Sequence, residues 1–466
     1  PGRLRLHLSY AILIIAASSN GYDGALISSL QALPAFNDNL GQGISSAYKG
    51  LIIAGIALGG VAFFFPAAYL ADRAGRRFTT VLGGTVMLVA SVVQAFTHGA
   101  AAFLITRIFL GAGLAFTQTS AAPLLNEIAS PQHRAVVGAF YNALYFIGSI
   151  TAAWVTFGTL ASLRFNNWAW RAPCLVQAIF PLLLVAGVLA VVPESPRFLV
   201  SKGRIEEARR VLVHLHAERH DGSGIGTSAA YAEEELEAIT ASLARDRSNF
   251  SYFDFLRSPA DRWRLWIIVF VALIVQWAGQ APASYYLSPI LGSLGITDPL
   301  QQAGLNGGLQ VWSMITAITG AAVTERIGRR SLWLTSLGGM LASEVAYTVS
   351  SAEFQQDGSH SAGLSGVVFL FLISGFYSLA ITPLAFLYPV EVTTYRNRAQ
   401  GLALNQFLVF LLGAFNQFVN PIALDAIGYK YYAVFIALLV VFIGVVVFSF
   451  PETRGMGELE EIERVF

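Results

Sequence analysis

The stretch Leu70-Ala71-Asp72-Arg73-Ala74-Gly75-Arg76-Arg77 returns, altered, as Val323-Thr324-Glu325-Arg326-Ile327-Gly328-Arg329-Arg330. Two further signals return with it at nearly the same offset. Glu127 stands seven residues before Arg134, and Glu391 seven before Arg398. Pro193-Glu194-Ser195 closes the first half, and Pro451-Glu452-Thr453 the second. One unit is therefore written twice, in the same direction. Parallel repeats of this kind are expected of a carrier built from two bundles around a central site.

The repeat lies in a very apolar context. Only 12% of the 466 residues are charged, against about 25% in soluble chains, and the mean hydropathy is +0.59. Apolar runs of bilayer-spanning length, roughly 20 residues each, cover 8–33, 47–71, 79–98, 101–126, 134–160, 169–192, 263–293, 303–324, 331–350, 363–388, 399–423 and 430–450. The expected fold is an all-α membrane protein with twelve transmembrane helices. Two six-helix bundles, 1–194 and 262–452, are joined by a cytoplasmic helical linker over 195–261 and followed by a cytoplasmic tail over 453–466.

Lys and Arg set the expected orientation. With both ends and every second loop on one side, that side holds 24 of the 29 basic residues. By the positive-inside rule both termini and the 195–260 segment are cytoplasmic, in what is expected to be the plasma membrane. No small-residue cleavage site follows the first run, so a removed signal peptide is not expected. A chain starting at Pro1 is read as trimmed at its N-terminus. The linker has helical texture at 205–212 and Tyr231–Leu243, with a Gly/Ser/Asp break over His220–Ser228. Three nearby histidines, His214, His216 and His220, read as exposed linker residues. The lone Cys174 excludes an internal disulfide, and no metal-ligand spacing is present. The segment Gly457–Phe466 is expected to form an amphipathic cytoplasmic cap. Pro123, Pro282, Pro383 and Pro389 mark places where spans can bend around a cavity.

Together these motifs resemble the sugar porter family of the major facilitator superfamily, over essentially the whole chain. The resemblance is carried by Gly21-Tyr22-Asp23, Asp72–Arg77, Arg107 with Gly111 and Gly113, Glu127–Arg134 and Pro193–Arg197. In the second half it continues through Glu325–Arg330, Tyr388–Arg398 and Pro451–Gly455. The fungal lactose-permease-like branch is closer still, through Leu30–Pro34, Trp168–Pro173, Gln276–Gln280 with Tyr285-Tyr286, and Asn420–Asp425. The resemblance implies the major facilitator fold and solute transport by alternating access.

Asp23 lies well inside the first span, where a carboxylate must be paired, hydrated or protonated. Arg107, in the fourth span, is the candidate partner. An opposite charge favours the ionised acid and desolvation favours the neutral one, so a pair poised between them can couple a proton to a conformational change. The resemblance assigns this role to the matching Asp and Arg of proton-coupled sugar porters; facilitative relatives carry Asn at the Asp position. The alternative is a static ion pair that fixes helix register.

Asp72, Arg73, Arg76 and Arg77, with Glu127 and Arg134, suit a charge network between cytoplasmic helix ends. Glu325, Arg326, Arg329 and Arg330, with Glu391 and Arg398, form its counterpart. Such pairs, worth ~1 kcal/mol each when partly exposed, are expected to hold the halves together on the inside and to break on opening. Ala68 and Ala135 stand where the family usually has Gly.

A sugar offers hydroxyls that donate and accept, which suits Asn and Gln beside aromatic faces. Candidate substrate ligands are Asn142, Gln276, Gln280, Tyr285, Tyr286, Asn306 and Phe386, with Gln118, Gln177 and Asn405 behind them. Of these, Gln276 matches a family sugar ligand. Asn142 replaces a usual Gln, Gln280 a usual Asn, and Val275 a Gln. Counting from the repeat motifs, Ser313, Phe386 and Val409 replace Asn, Trp and Asn, which makes the pocket more apolar. Any one polar residue here is as readily an interhelical hydrogen bond. Glu344, mid-span in the ninth run, is expected to face a neighbouring helix or to stay protonated.

The leading expectation is a proton-coupled symporter of a sugar or sugar-like solute. The alternatives are a facilitative uniporter, a transporter-like nutrient sensor and a carrier of a less polar solute. Neither a nucleophile–base constellation nor a nucleotide loop appears, so an enzyme is not expected. No cofactor, metal or nucleic-acid partner is expected; the solute, protons and the bilayer are, and a monomer suffices.

Overall fold

The computed structural model describes residues 2–41, 43–129, 134–164, 166–216, 228–246, 252–394 and 397–454. All twelve apolar runs are helical. The first six form α1 (Gly2–Leu30), α3 (Ser46–Ala74), α4 (Arg76–Ala95), α5 (Ala100–Ile128), α6 (Arg134–Leu163) and a broken span made of α7 (Trp168–Gln177) and α8 (Ile179–Ala190). A short helix, α2 (Pro34–Leu40), follows α1. Small helices α9 (Pro196–Ser201), α10 (Ile205–His216) and α11 (Ser228–Asp246) occupy the linker. The seventh span is broken twice, into α12 (Pro259–Trp277), α13 (Gln280–Tyr285) and α14 (Leu287–Ser293). The rest are α15 (Pro299–Ile327), α16 (Arg329–Asp357), α17 (His360–Val392), α18 (Arg398–Ile427) and α19 (Tyr432–Ser449). Among the described residues seven stretches can cross a membrane by length and composition, the last of them, Arg398–Ser449, taking in two helices.

Local chemistry starts these helices where the runs start. Ser45 accepts from the Tyr48 amide, Ser258 from Asp261 and Asp298 from Gln301. Pro259 and Pro299 sit in first turns, where a missing N–H costs nothing.

The packing repeats as the sequence does. In the first half α1 lies along α6, and α5 along both α3 and α4; in the second α12 lies along α18, and α17 along both α15 and α16. Backbones meet directly where these helices cross. A Cβ on Gly59 would overlap the Ile108 carbonyl, and one on Gly111 would overlap that of Ile56. Gly320 meets the Leu379 carbonyl of α17 in the same way. The halves touch through α3 on α18 and α6 on α15. Odd and even connections alternate, so both described ends and the linker helices share one face, here called the terminal face.

In the linker, Arg209 of α10 bonds Glu233 of α11 at 3.1 Å over a core of Leu199, Ala208, Leu212, Ala232 and Leu236. His214 is exposed. His220, the His216 side chain and the segment Gly457–Phe466 lie outside the described residues. Among the described residues no group of His, Cys, Asp and Glu is placed to hold a metal.

Candidate functional site

Asp23 faces the interior of the first bundle and is 1% exposed. Its nearest donor is the carboxamide of Gln177, which bonds Oδ1, while Oδ2 has no hydrogen-bond partner. Gln177 is the last residue of α7, just before the break at Ala178, so the broken sixth span presents it to α1. Gln94 of α4 donates to the Gln177 oxygen at 3.4 Å and points at Cys174 Sγ at 3.5 Å. The Tyr22 hydroxyl donates to the Pro173 carbonyl at 2.7 Å. A chain of polar groups thus runs from α4 through the sixth span to the acid.

Arg107, also buried, does not hydrogen-bond or ion-pair with Asp23. Its Nε donates to the Ile52 carbonyl at 2.9 Å and its Nη2 to that of Ile53 at 3.4 Å. Gly55 brings α3 so close to the Arg107 Cβ that these carbonyls become the nearest acceptors. The expected direct pair is therefore replaced by two separately held groups whose charges still act on one another. Tyr285 and Tyr286, from the other half, belong to the electrostatic surroundings of Arg107.

The charged motifs cluster at the terminal face, but their described ion pairs stay inside each half. Arg76 lies 3.3 Å from Asp72 and 3.5 Å from Glu127; Arg329 lies 2.8 Å from Glu391. The expected bridges between halves belong to a state closed at this face; the pairs described here lie within each half. The reason is local: the turns at Gly75 and Gly328 fold each arginine back onto the helix ends beside it. Arg77 donates to the Leu189 carbonyl at 2.8 Å, and Arg330 to that of Val447. Arg73 meets the Tyr69 hydroxyl, and Arg326 is exposed. Arg398 stands at the start of α18. The side chains of Arg134 and Glu325 lie outside the described residues.

Two acids not assigned a role from sequence complete these clusters. Glu194 accepts from the amides of Arg76 and Arg77, each at 3.1 Å. Glu452 accepts from those of Arg329 at 2.8 Å and Arg330 at 3.1 Å. Each carboxylate therefore caps a helix more than a hundred residues away in the chain. The recurrence of Pro-Glu at both half-ends was the available signal.

The substrate candidates divide. Gln276 and Gln280 flank the first break of the seventh span, Ala278-Gly279. The Gln276 carbonyl accepts from Asn416, and the Tyr377 hydroxyl takes the Val275 carbonyl at 2.8 Å. The Gln280 amide bridges Ser284 at 3.2 Å and Ser374 at 3.1 Å. The Tyr286 hydroxyl donates to the Gln417 carbonyl. Phe386 is half exposed on α17. Asn306 is buried and already engaged: it donates to Ser29 at 2.8 Å and accepts from Gln310 at 3.3 Å. In this conformation its carboxamide joins the halves, linking α15 to the end of α1. The Asn142 side chain lies outside the described residues.

Asn306 is one of several contacts that close the face opposite the termini. Gln31 donates to the Tyr285 carbonyl at 2.6 Å, Arg164 lies 3.0 Å from Asp298, and Ser46 bonds Asp425. Deeper in, Gln406 donates to Gln118 at 2.7 Å, and Phe407 packs on Phe65 with centroids 4.9 Å apart. Single polar residues without a repeat pattern gave no sequence signal for this seam.

The profile described as "Sugar (and other) transporter" matches residues 10–466. A "Putative metabolite transport protein YncC" from Bacillus subtilis is 28% identical, over 96% of this chain and 91% of that protein. The "Arabinose-proton symporter" of the same organism is 26% identical over 98% and 96%. "Hexose transporter HXT13" of Saccharomyces cerevisiae is 27% identical over 91% and 74%. Among solved structures, the xylose transporter XylE from E. coli in a partially occluded inward open conformation matches with a TM-score of 0.78. It is 17% identical, covering 96% of this chain and 100% of that one. That likeness shows the major facilitator fold. Twelve helical runs in two like-packed halves, charged clusters at each half's helix ends and a match along nearly the whole length agree: the chain belongs to the sugar porter family, as a multi-pass membrane carrier and not an enzyme.

Proposed function

We propose that this protein carries a sugar or sugar-like solute by alternating access, together with a proton that binds at Asp23. The observation that carries the reading is a buried acid with one oxygen held by Gln177 and the other bare, beside an arginine that it does not touch. An ionised carboxylate so placed is costly without water or a closer cation. The packing suits the neutral acid, and opening of the site admits the water that releases the proton. Arg107 then supplies the nearby positive charge that steadies the anion.

The solute lies between the halves, with Gln276 and Gln280 beside the break in the seventh span as hydrogen-bonding groups and Tyr285 and Tyr286 as aromatic walls. Phe386 and Asn142 are assigned to the same pocket. Val275 and Val409 make a disaccharide or less polar solute a better fit than a hexose, in keeping with the lactose-permease-like motifs. Residues 1–194 and 262–452 move as two units about the 195–261 linker. The charge clusters, with Arg134 and Glu325, stiffen the helix ends that part. Both termini and the tail face the cytoplasm, the membrane is the plasma membrane, and a single chain suffices.

Uptake of radiolabelled lactose, cellobiose and glucose into proteoliposomes, with and without an inward proton gradient, tests the proposal. Gradient-driven uptake that Asp23→Asn abolishes while exchange survives is expected. Uptake indifferent to the gradient in both proteins selects the uniporter.

A further inference from the structure

Glu344 stands at the middle of α16, is 1% exposed, and takes no part in the sites above. Among the described residues no cation lies within ion-pair distance of its carboxyl. The ionisable groups that face it are Tyr347, one turn on along α16, and Tyr432 of α19, whose hydroxyls bond each other at 3.3 Å. Tyr377, on the neighbouring α17, turns instead to the Val275 carbonyl. Ala278 and Gly279 offer no ionisable side chain, and Phe435 of α19 packs alongside.

The carboxyl lies against the glycine at the first break of the seventh span. Gly279 has φ +98° and ψ −7°, a left-handed conformation, and a Cβ built there would lie 3.5 Å from Glu344 Oε2. Left-handed backbone is where glycine is at home, so the break depends on this residue. Gln276 and Gln280 lie on its two sides. An anion cannot stay in this packing without a partner. It needs water or polar groups, which reach it only when the backbone at Gly279 moves away from α16.

We infer that Glu344 is a second proton-binding site, in the C-terminal half, whose neutral form holds the seventh-span break packed and whose ionisation frees it. Proton binding and break closure are then linked in both directions. Substrate held by Gln276 and Gln280 senses this proton through the backbone between them. The inference goes beyond the Asp23 reading and holds for symporter or uniporter alike.

The test needs no known solute. Amide hydrogen exchange of segment 279–286 is followed by mass spectrometry on the full chain in nanodiscs across the neutral pH range, corrected for intrinsic exchange. Wild type and Asp23→Asn should lose protection there by up to about tenfold per pH unit, and Glu344→Gln should show no such slope. The same slope in Glu344→Gln as in wild type overturns the inference. Should Glu344→Gln not be recovered folded, infrared titration of Asp23→Asn decides. A carboxylic-acid carbonyl band that fades in step with the loss of protection supports it; a band that is absent or unchanged overturns it.

Discussion

Replacing Glu452 by alanine tests whether the acids at the half-ends are helix caps. The carboxylate accepts from the amides of Arg329 at 2.8 Å, Arg330 at 3.1 Å and Arg454 at 3.1 Å. Two of these donors belong to the first turn of α16, which has no side-chain cap of its own. Loss of an N-cap costs about 0.5–2 kcal/mol, and each hydrogen bond to a charged group about 1.5–3 kcal/mol. Allowing for water at the emptied site, Glu452→Ala should cost about 2–4 kcal/mol. For a unit of half-chain size, ~2–4 °C of Tm follows each kcal/mol, so melting should fall by about 4–16 °C. Glu452→Gln keeps an acceptor oxygen and loses mainly the charge at the helix start, about 1 kcal/mol. Glu194→Ala should match Glu452→Ala, since it caps α4 through the same geometry. The assay is thermal unfolding of purified protein followed by fluorescence. Glu353→Ala, an exposed acid far along α16, is the control. Melting of Glu452→Ala within a degree or so of that control would refute the capping argument.

Removing the Asn306 amide, which joins α15 to Ser29 of α1, should release about 1 kcal/mol of closure at the opposite face. Maleimide labelling of Ser28→Cys should then rise roughly fivefold in Asn306→Ala; unchanged labelling would sink this seam. Arg329→Ala should destabilise more than Arg76→Ala by melting temperature, because the Arg329–Glu391 contact is shorter and Glu391 also accepts from Thr453. Equal losses would count against that ranking. Gly59→Leu drives a side chain into the Ile108 carbonyl and should yield no monodisperse protein on size exclusion, whereas Gly158→Leu, which meets open space, should. A folded Gly59→Leu would disprove the close-packed crossing of α3 and α5.

Periodic or repeated features were legible in the sequence; features made by two unrelated positions were not. Hydropathy alone placed α3, α5, α17 and α18, because a bilayer demands a long apolar run whatever the neighbours do. The grouping of Asp72, Arg76 and Glu127 could be read because acid and base recur together in both halves. Their pairing within each half could not, since sequence does not say which way a helix end turns at Gly75. Asp23 was singled out by the cost of a buried acid, yet its donor was missed. The nearest opposite charge attracts attention, whereas Gln177 won by geometry, brought round by the break at Ala178. Glu194 and Glu452 failed for a related reason: a cap is ordinarily sought within a few residues of its helix, and these lie in another span. Asn306 was assigned to substrate on residue type, and its engagement with Ser29 depends on how the halves close.

Because the described ion pairs of the repeated motifs at the terminal face join helices of one half only, each half keeps its own accounts of acid and base there. A change of sign at Arg329 asks for an answer at Glu391, 62 residues away in the same half. The two copies can therefore diverge at different rates after the event that created them. In a set of descendants, correlated replacements should gather inside each half, and between halves along α3 with α18, α6 with α15 and the end of α1 with α13. Grafting the first half of one relative onto the second half of another should succeed or fail on those seams, with the charged ends carried over intact.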